Sequence, residues 1–173
     1  MSELLNSPSR AEVVGWQLEV EPGEARKVME DALEEASARG ADVLVADGEM
    51  VFGLDHIASA AFHARRAMDE GRNSSKSYSM ETLLYASGER QLSSAIAKMS
   101  VSDKTSSVAI VLLSEAGLDG HEGWDVLSTF TTAPRTERLI RFGITKEELK
   151  TVPPEKRVDL VLEKVAAVDL IKR

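Results

Sequence analysis

The sequence predicts one layered domain of the α/β or α+β class, a small central β-sheet flanked by several helices. Three observations predict it. Strand-like stretches rich in branched residues are interspersed with longer stretches of helical period, and the helical ones are in the majority. The chain of 173 residues shows no internal repeat, low-complexity tract or linker, which fits a single domain over residues 1–173. A domain of that length buries enough surface to fold without covalent staples, and the chain has no cysteine to form them.

Residues 1–10 are polar and read as a loose start. "VVGWQLEV" then alternates, with Val14, Trp16, Leu18 and Val20 on one face of a half-buried strand. In "PGEARKVMEDALEEASARG", Val28, Met29, Ala32, Leu33 and Ala36 recur at helical spacing, and Gly40 ends the helix. "DVLVADGEMVF" is a second strand with a turn or bulge at Asp47-Gly48. A helix over 55–70 turns Ile57, Ala60, Ala61, Ala64 and Met68 inward and Arg66 toward solvent. After the loop "EGRNSSKS", two helices over 79–87 and 89–99 meet at Ser87-Gly88. Leu92, Ala95, Ile96 and Met99 form one side of the second. "SVAIVLL" is continuous and branched, the pattern of a buried strand. "HEGWDVLSTF" reads as a helix that ends before Pro134, and "RTERLIRFG" as a helix ended by Gly143. "TKEE" is a capping box from Thr145 to Glu148. Pro153 and Pro154 open a last helix that buries Val158, Val161, Leu162 and Val165.

No stretch has the pattern of a secretory leader, and the longest apolar run, "VAIVLL" at 108–113, is far too short to cross a bilayer. The expectation is a soluble, cytoplasmic protein with no membrane contact, and the absence of cysteine suits a reducing compartment. A net charge of −8 argues against a generic nucleic-acid coat or membrane-surface binder. The charge is uneven, however. Residues 56–104 hold seven Lys or Arg against five Asp or Glu, a net +2, while the remainder carries −10. An acidic protein can present a local basic patch, and the local field is what a phosphate feels.

No catalytic residue, metal ligand or cofactor site stands out. His56 and His63 are seven apart and can share a helix side, while His121 is remote; the three lack a zinc spacing and read as surface or half-buried. There is no G-x-S-x-G elbow, no Walker loop and no G-x-G-x-x-G. "GLDGHEG" at 117–123 carries Asp119 and Glu122, which repel an anion. A small enzyme whose site is assembled in space from distant residues is the rival reading from another class. What remains is the hairpin. Lys76 precedes its first helix, Arg90 lies in the first turn of its second, and Ser87 and Gly88 make the elbow. A tight turn entering a helix exposes amide N–H groups, and Lys or Arg adds charge-assisted bonds to phosphate. Tyr78 and Tyr85 offer rings for base stacking. The same residues equally suit a solvated hairpin packed on a core.

"KSYSMETLLYASGERQLSSAI" resembles the signature of the small kinase-binding subunit of the KEOPS complex, the TPRKB-like family. The matching positions are Lys76-Ser77, Glu81, Leu83-Leu84, Ala86-Ser87-Gly88, Arg90-Gln91-Leu92 and Ala95-Ile96. "RVDLVLEKVAAVDLIKR" is similar to that family's final helix and "RLIRFGITKEEL" to its penultimate region, so the resemblance covers nearly the whole chain. The short length and absent cysteine suit the archaeal form. The resemblance implies an α/β fold, no catalytic centre and no cofactor. It implies an accessory subunit of the complex that makes threonylcarbamoyladenosine beside the anticodon of tRNA. Its direct partner would be the atypical kinase/ATPase subunit, which it binds and stimulates. The catalytic and dimerisation subunits would be indirect partners, and the single-stranded 3′ CCA end of tRNA would be captured.

Lys76 and Arg90 match basic positions of the motif, with Ser87 and Gly88 between them, and Arg65, Arg66 and Arg72 join as neighbours on charge. Where some relatives have a basic residue before Ala-Ser-Gly, this chain has Tyr85, which offers stacking in place of one phosphate contact. Gln91 and Leu84 are the candidates for the kinase interface, although Leu84 also suits a core position. The alternative role is a protein adaptor that activates the kinase without touching RNA.

Overall fold

The structure, a computed structural model, describes residues 13–114 and 118–172; the expected loose start at 1–10 lies outside them. Among the described residues the strands are β1 (Val14–Glu19), β2 (Val43–Asp47), β3 (Ser107–Leu112) and β4 (Asp125–Val126). The helices are α1 (Ala25–Ala38), α2 (Leu54–Asp69), α3 (Tyr78–Ser87), α4 (Leu92–Met99), α5 (Thr136–Phe142), α6 (Lys146–Leu149) and α7 (Arg157–Ile171). The strands form one antiparallel sheet in the order β2-β3-β1-β4. The domain is therefore of the α+β class.

The continuous apolar run becomes the inner strand β3 because both of its faces are covered. Val108 and Ile110 pack with Trp16 and with Ala25, Ala32 and Ala36 of α1. Ala109, Val111 and Leu113 belong to the larger core on the other face, with residues of α2 to α7. Three layers result: α1, the sheet, and the remaining helices. In β1, Trp16 is buried and Leu18 packs beside it, but Val14 is exposed.

α2 buries Ile57, Ala60, Ala61, Ala64 and Ala67, with Met68 half-buried. Its small residues let α3 lie close against it. α3 touches α2, α4, α7 and β2, and its residues from Glu81 to Ser87 are all buried. From Glu81 onward the helix has no solvent face to display. The second hairpin helix starts at Leu92, with Gln91 as its N-cap, so Arg90 precedes α4 rather than lying in its first turn. In α7, Leu162 is half-buried, and Leu160 and Val168 complete the stripe of Val158, Val161 and Val165.

The helix expected at 121–130 is absent. Trp16 pairs with Val126 and Gln17 with Asp125, and the Leu127 N–H donates to the Gly15 carbonyl at 2.8 Å. The carbonyls of Ser128 and Thr129 then accept the N–H groups of Leu54 and Asp55 at 2.7 and 3.0 Å, which caps α2. This backbone is committed to the sheet edge and to another helix's first turn, so it cannot close its own i→i−4 bonds. The approach demands glycine at position 53, where φ is +97° and an added Cβ would lie 2.6 Å from the Thr129 carbonyl oxygen.

The capping box forms as its spacing requires. The Glu148 N–H donates to Thr145 Oγ1 at 3.1 Å, and the Thr145 N–H donates to Glu148 Oε2 at 2.7 Å. Lys164 reaches the same carboxylate at 2.6 Å, tying α6 to α7. Thr145→Ala lowers stability by about 1 kcal/mol, read as a fall in Tm of about 2–4 °C on thermal unfolding.

Candidate functional site

The named basic residues divide among four places. α3 is ten residues long, about 15 Å of helix. Lys76, exposed, stands just before its N-cap, and Arg90, exposed, stands just beyond its C-cap. Arg65 lies over the Tyr78 ring, 4.0 Å from the centroid. Arg66 and Arg72 converge on one carboxylate, that of Asp169 near the end of α7, at 2.8 and 3.2 Å.

Asp169 is the centre of a polar cluster. Its side chain is only 15% exposed, and it accepts bonds from Arg66, Arg72, His63 (3.2 Å) and the Tyr85 hydroxyl. Burial works to raise its carboxyl, but the bonds from Tyr85, Arg72, Arg66 and His63 outweigh that and hold it at about 2. The Tyr85 phenol is pushed upward, first by burial and then by its bond to that carboxylate. Beside it, Lys172, the C-cap of α7, pairs with Glu81. Glu81 is fully buried and also accepts the N–H groups of Ser74 (3.1 Å) and Ser75 (2.8 Å). An open cleft of about 470 Å³ lies here, lined by Arg66, Arg72, Asp169, Leu170 and Lys172.

The turn at the other end of α3 is pinned from below. Gly88 adopts φ +70°, ending the helix in the left-handed cap that favours glycine, with Lys164 Cβ 3.0 Å from where its own Cβ would be. Lys98 donates to the Ser87 carbonyl at 2.6 Å and to Glu89 at 3.2 Å, over the Phe142 ring. Burial lowers the Lys98 ammonium and Glu89 partly offsets it.

Three expectations change at this site. Tyr85 is fully buried, with its ring stacked on His63 at 5.7 Å and its hydroxyl on Asp169, so it is not presented for stacking on a base. Ser87 is also fully buried; its hydroxyl donates to the Leu84 carbonyl at 2.7 Å and accepts from the Glu89 N–H. Leu84 is fully buried in the core and presents no surface to a partner, whereas Gln91 is exposed. Of the histidines, His63 is half-buried and His121 exposed, as expected, and only His56 differs. His56 is fully buried: the Phe52 N–H donates to its Nδ1 at 3.1 Å, and its Nε2–H donates to the Ala86 carbonyl at 2.7 Å. These partners specify the neutral ring. Burial, opposed by the Ala86 bond and aided by Lys98 and Arg138, lowers it to about 4.

Asp169 and Lys172 are the residues that sequence reasoning missed. A signal existed. Val158, Val161 and Val165 define the buried stripe of α7, and positions 169 and 172 continue it at i+4 and i+7. Charged residues on a buried stripe call for partners. Among the described residues, no group of three or more His, Asp or Glu converges to hold a metal ion. No helix among them is long and apolar enough to cross a membrane.

The molecule these features define is a small α+β domain whose polar network ties the end of one helix to a basic loop. Residues 24–158 match the family described as kinase binding protein CGI-121, and the chain belongs to that family. Its members are kinase-binding proteins. Comparison with curated proteins gives no significant match.

Proposed function

We propose that the chain is a non-catalytic accessory subunit of the KEOPS complex, in which it binds and stimulates the atypical kinase/ATPase and recruits tRNA by its 3′ CCA end. Contact with the catalytic and dimerisation subunits then runs through the kinase. Family membership supports the kinase half. The observation that carries the RNA half is the pair of exposed cations, Lys76 and Arg90, at the two ends of a largely buried helix, with Arg72 in the same loop as the first. An unpaired CCA end is a charged backbone with unstacked bases, and a few fixed cations grip it without a broadly basic surface.

The test is tRNA binding by the isolated chain at low salt, comparing intact tRNA with tRNA lacking its terminal CCA. Removal of CCA and the substitution Arg90→Glu each weaken binding by about tenfold or more, and affinity falls with log salt at about −0.7 per phosphate contact. A second reading has its own support. Tyr85, Ser87 and Leu84 are buried, and Arg66 and Arg72 already share Asp169, as suits an adaptor that binds the kinase alone. That reading leaves tRNA affinity indifferent to both changes.

A further inference from the structure

Glu81 and Lys172 form a charged pair that is almost wholly buried, 0% and 5% exposed at the side chains. Removing two charges from water costs more than their attraction returns unless other bonds use them, and apolar side chains of similar size fill such a space as well. What apolar side chains cannot do is accept hydrogen bonds. Glu81 accepts from the backbone of both Ser74 and Ser75. Those amides lie between Arg72 and Lys76, in the loop that leads to the Ser77 N-cap of α3. Lys172 arrives from α7, and Asp169, three residues earlier, holds Arg66 and Arg72. The C-terminal end of α7 and its cap residue thus hold two guanidinium groups and, through Glu81, the backbone of the loop that carries Arg72.

We propose that Glu81 and Lys172 are positioning residues for phosphate binding, holding the Arg72–Lys76 loop in the shape that presents its cations to RNA. This rests on the RNA reading above. A loop already set in its bound shape avoids the cost of ordering on binding. The pair acts through the loop backbone, and its effect therefore runs against simple charge. Glu81→Gln removes a negative charge, so field alone would tighten RNA binding; loss of positioning weakens it.

The experiment uses the full chain, a single-stranded RNA oligonucleotide ending in CCA, and amide hydrogen exchange at Ser74 and Ser75. Glu81→Gln and Lys172→Met each speed exchange at those two amides by about tenfold and weaken RNA binding severalfold, while Lys172→Arg restores both. Unchanged exchange in Glu81→Gln overturns the proposal, as does RNA binding by that variant that is equal to or tighter than wild type. Should Lys172→Met fail to fold, Glu81→Gln and Lys172→Arg still decide. A wild type that binds no RNA overturns the RNA reading and this role with it, and that result is visible before any variant is compared.

Discussion

Replacing Glu81 with leucine lowers the stability of the domain by about 3–5 kcal/mol. The substitution keeps the volume of the side chain but strands the Lys172 ammonium in a site where it is 5% exposed. It also leaves the Ser74 and Ser75 amides without their acceptor. A second change, Lys172→Met, removes the stranded charge. The double variant Glu81→Leu/Lys172→Met therefore loses less than the sum of the single losses, by about 0.5–3 kcal/mol. Urea unfolding midpoints of the four proteins measure this. Strict additivity would show that the two charges do not act as a pair.

Acid weakens the fold well before the carboxylates titrate. The His56 ring is neutral in the folded state, with its pKa lowered from 6.5 to about 4. Between those values the unfolded chain binds a proton that the folded chain refuses, so stability falls as pH falls. The difference amounts to about 3 kcal/mol, lost between pH 6.5 and pH 4. Asp169, lowered from 3.8 to about 2, extends the loss in the same direction below that window. Urea midpoints followed from pH 7 to pH 4 test the claim. A flat profile over that range would mean that His56 is protonated in its buried site.

The helices with a solvent face were legible. α2 shows its alanine stripe because one side of it meets water and the other does not. The capping box was legible because Thr145 and Glu148 satisfy each other within one turn. The class of the fold and the inner strand followed from the same local periods. The misreadings share a different cause. Leu127 sits three residues after Trp124, which mimics a helix, yet the backbone there is claimed by Gly15 and by the first turn of α2. Tyr85 looked available because an aromatic beside a polar turn often is. α3, however, is surrounded, and the partners of Tyr85 and Glu81 come from α7, about 90 residues away. No local pattern reports a bond of that range. Of the candidate site, Lys76 and Arg90 were legible as exposed cations, while the stripe of α7 marked Asp169 as needing partners without naming Arg66 and Arg72.

The sheet order has a consequence for synthesis. β1 is made first, but its main partner is β3, roughly 90 residues later in the chain. At about 5–20 residues per second, the ribosome releases β1 about 5–20 s before the strand that completes it. Throughout that interval Trp16 and Leu18 lack the inner strand, and the nascent chain carries an open β-edge. The helical hairpin of α2 and α3 depends on near neighbours and can pack meanwhile. Closure of β1 onto β3 is then the late, slow step, and the period before it is when a holding chaperone has something to hold.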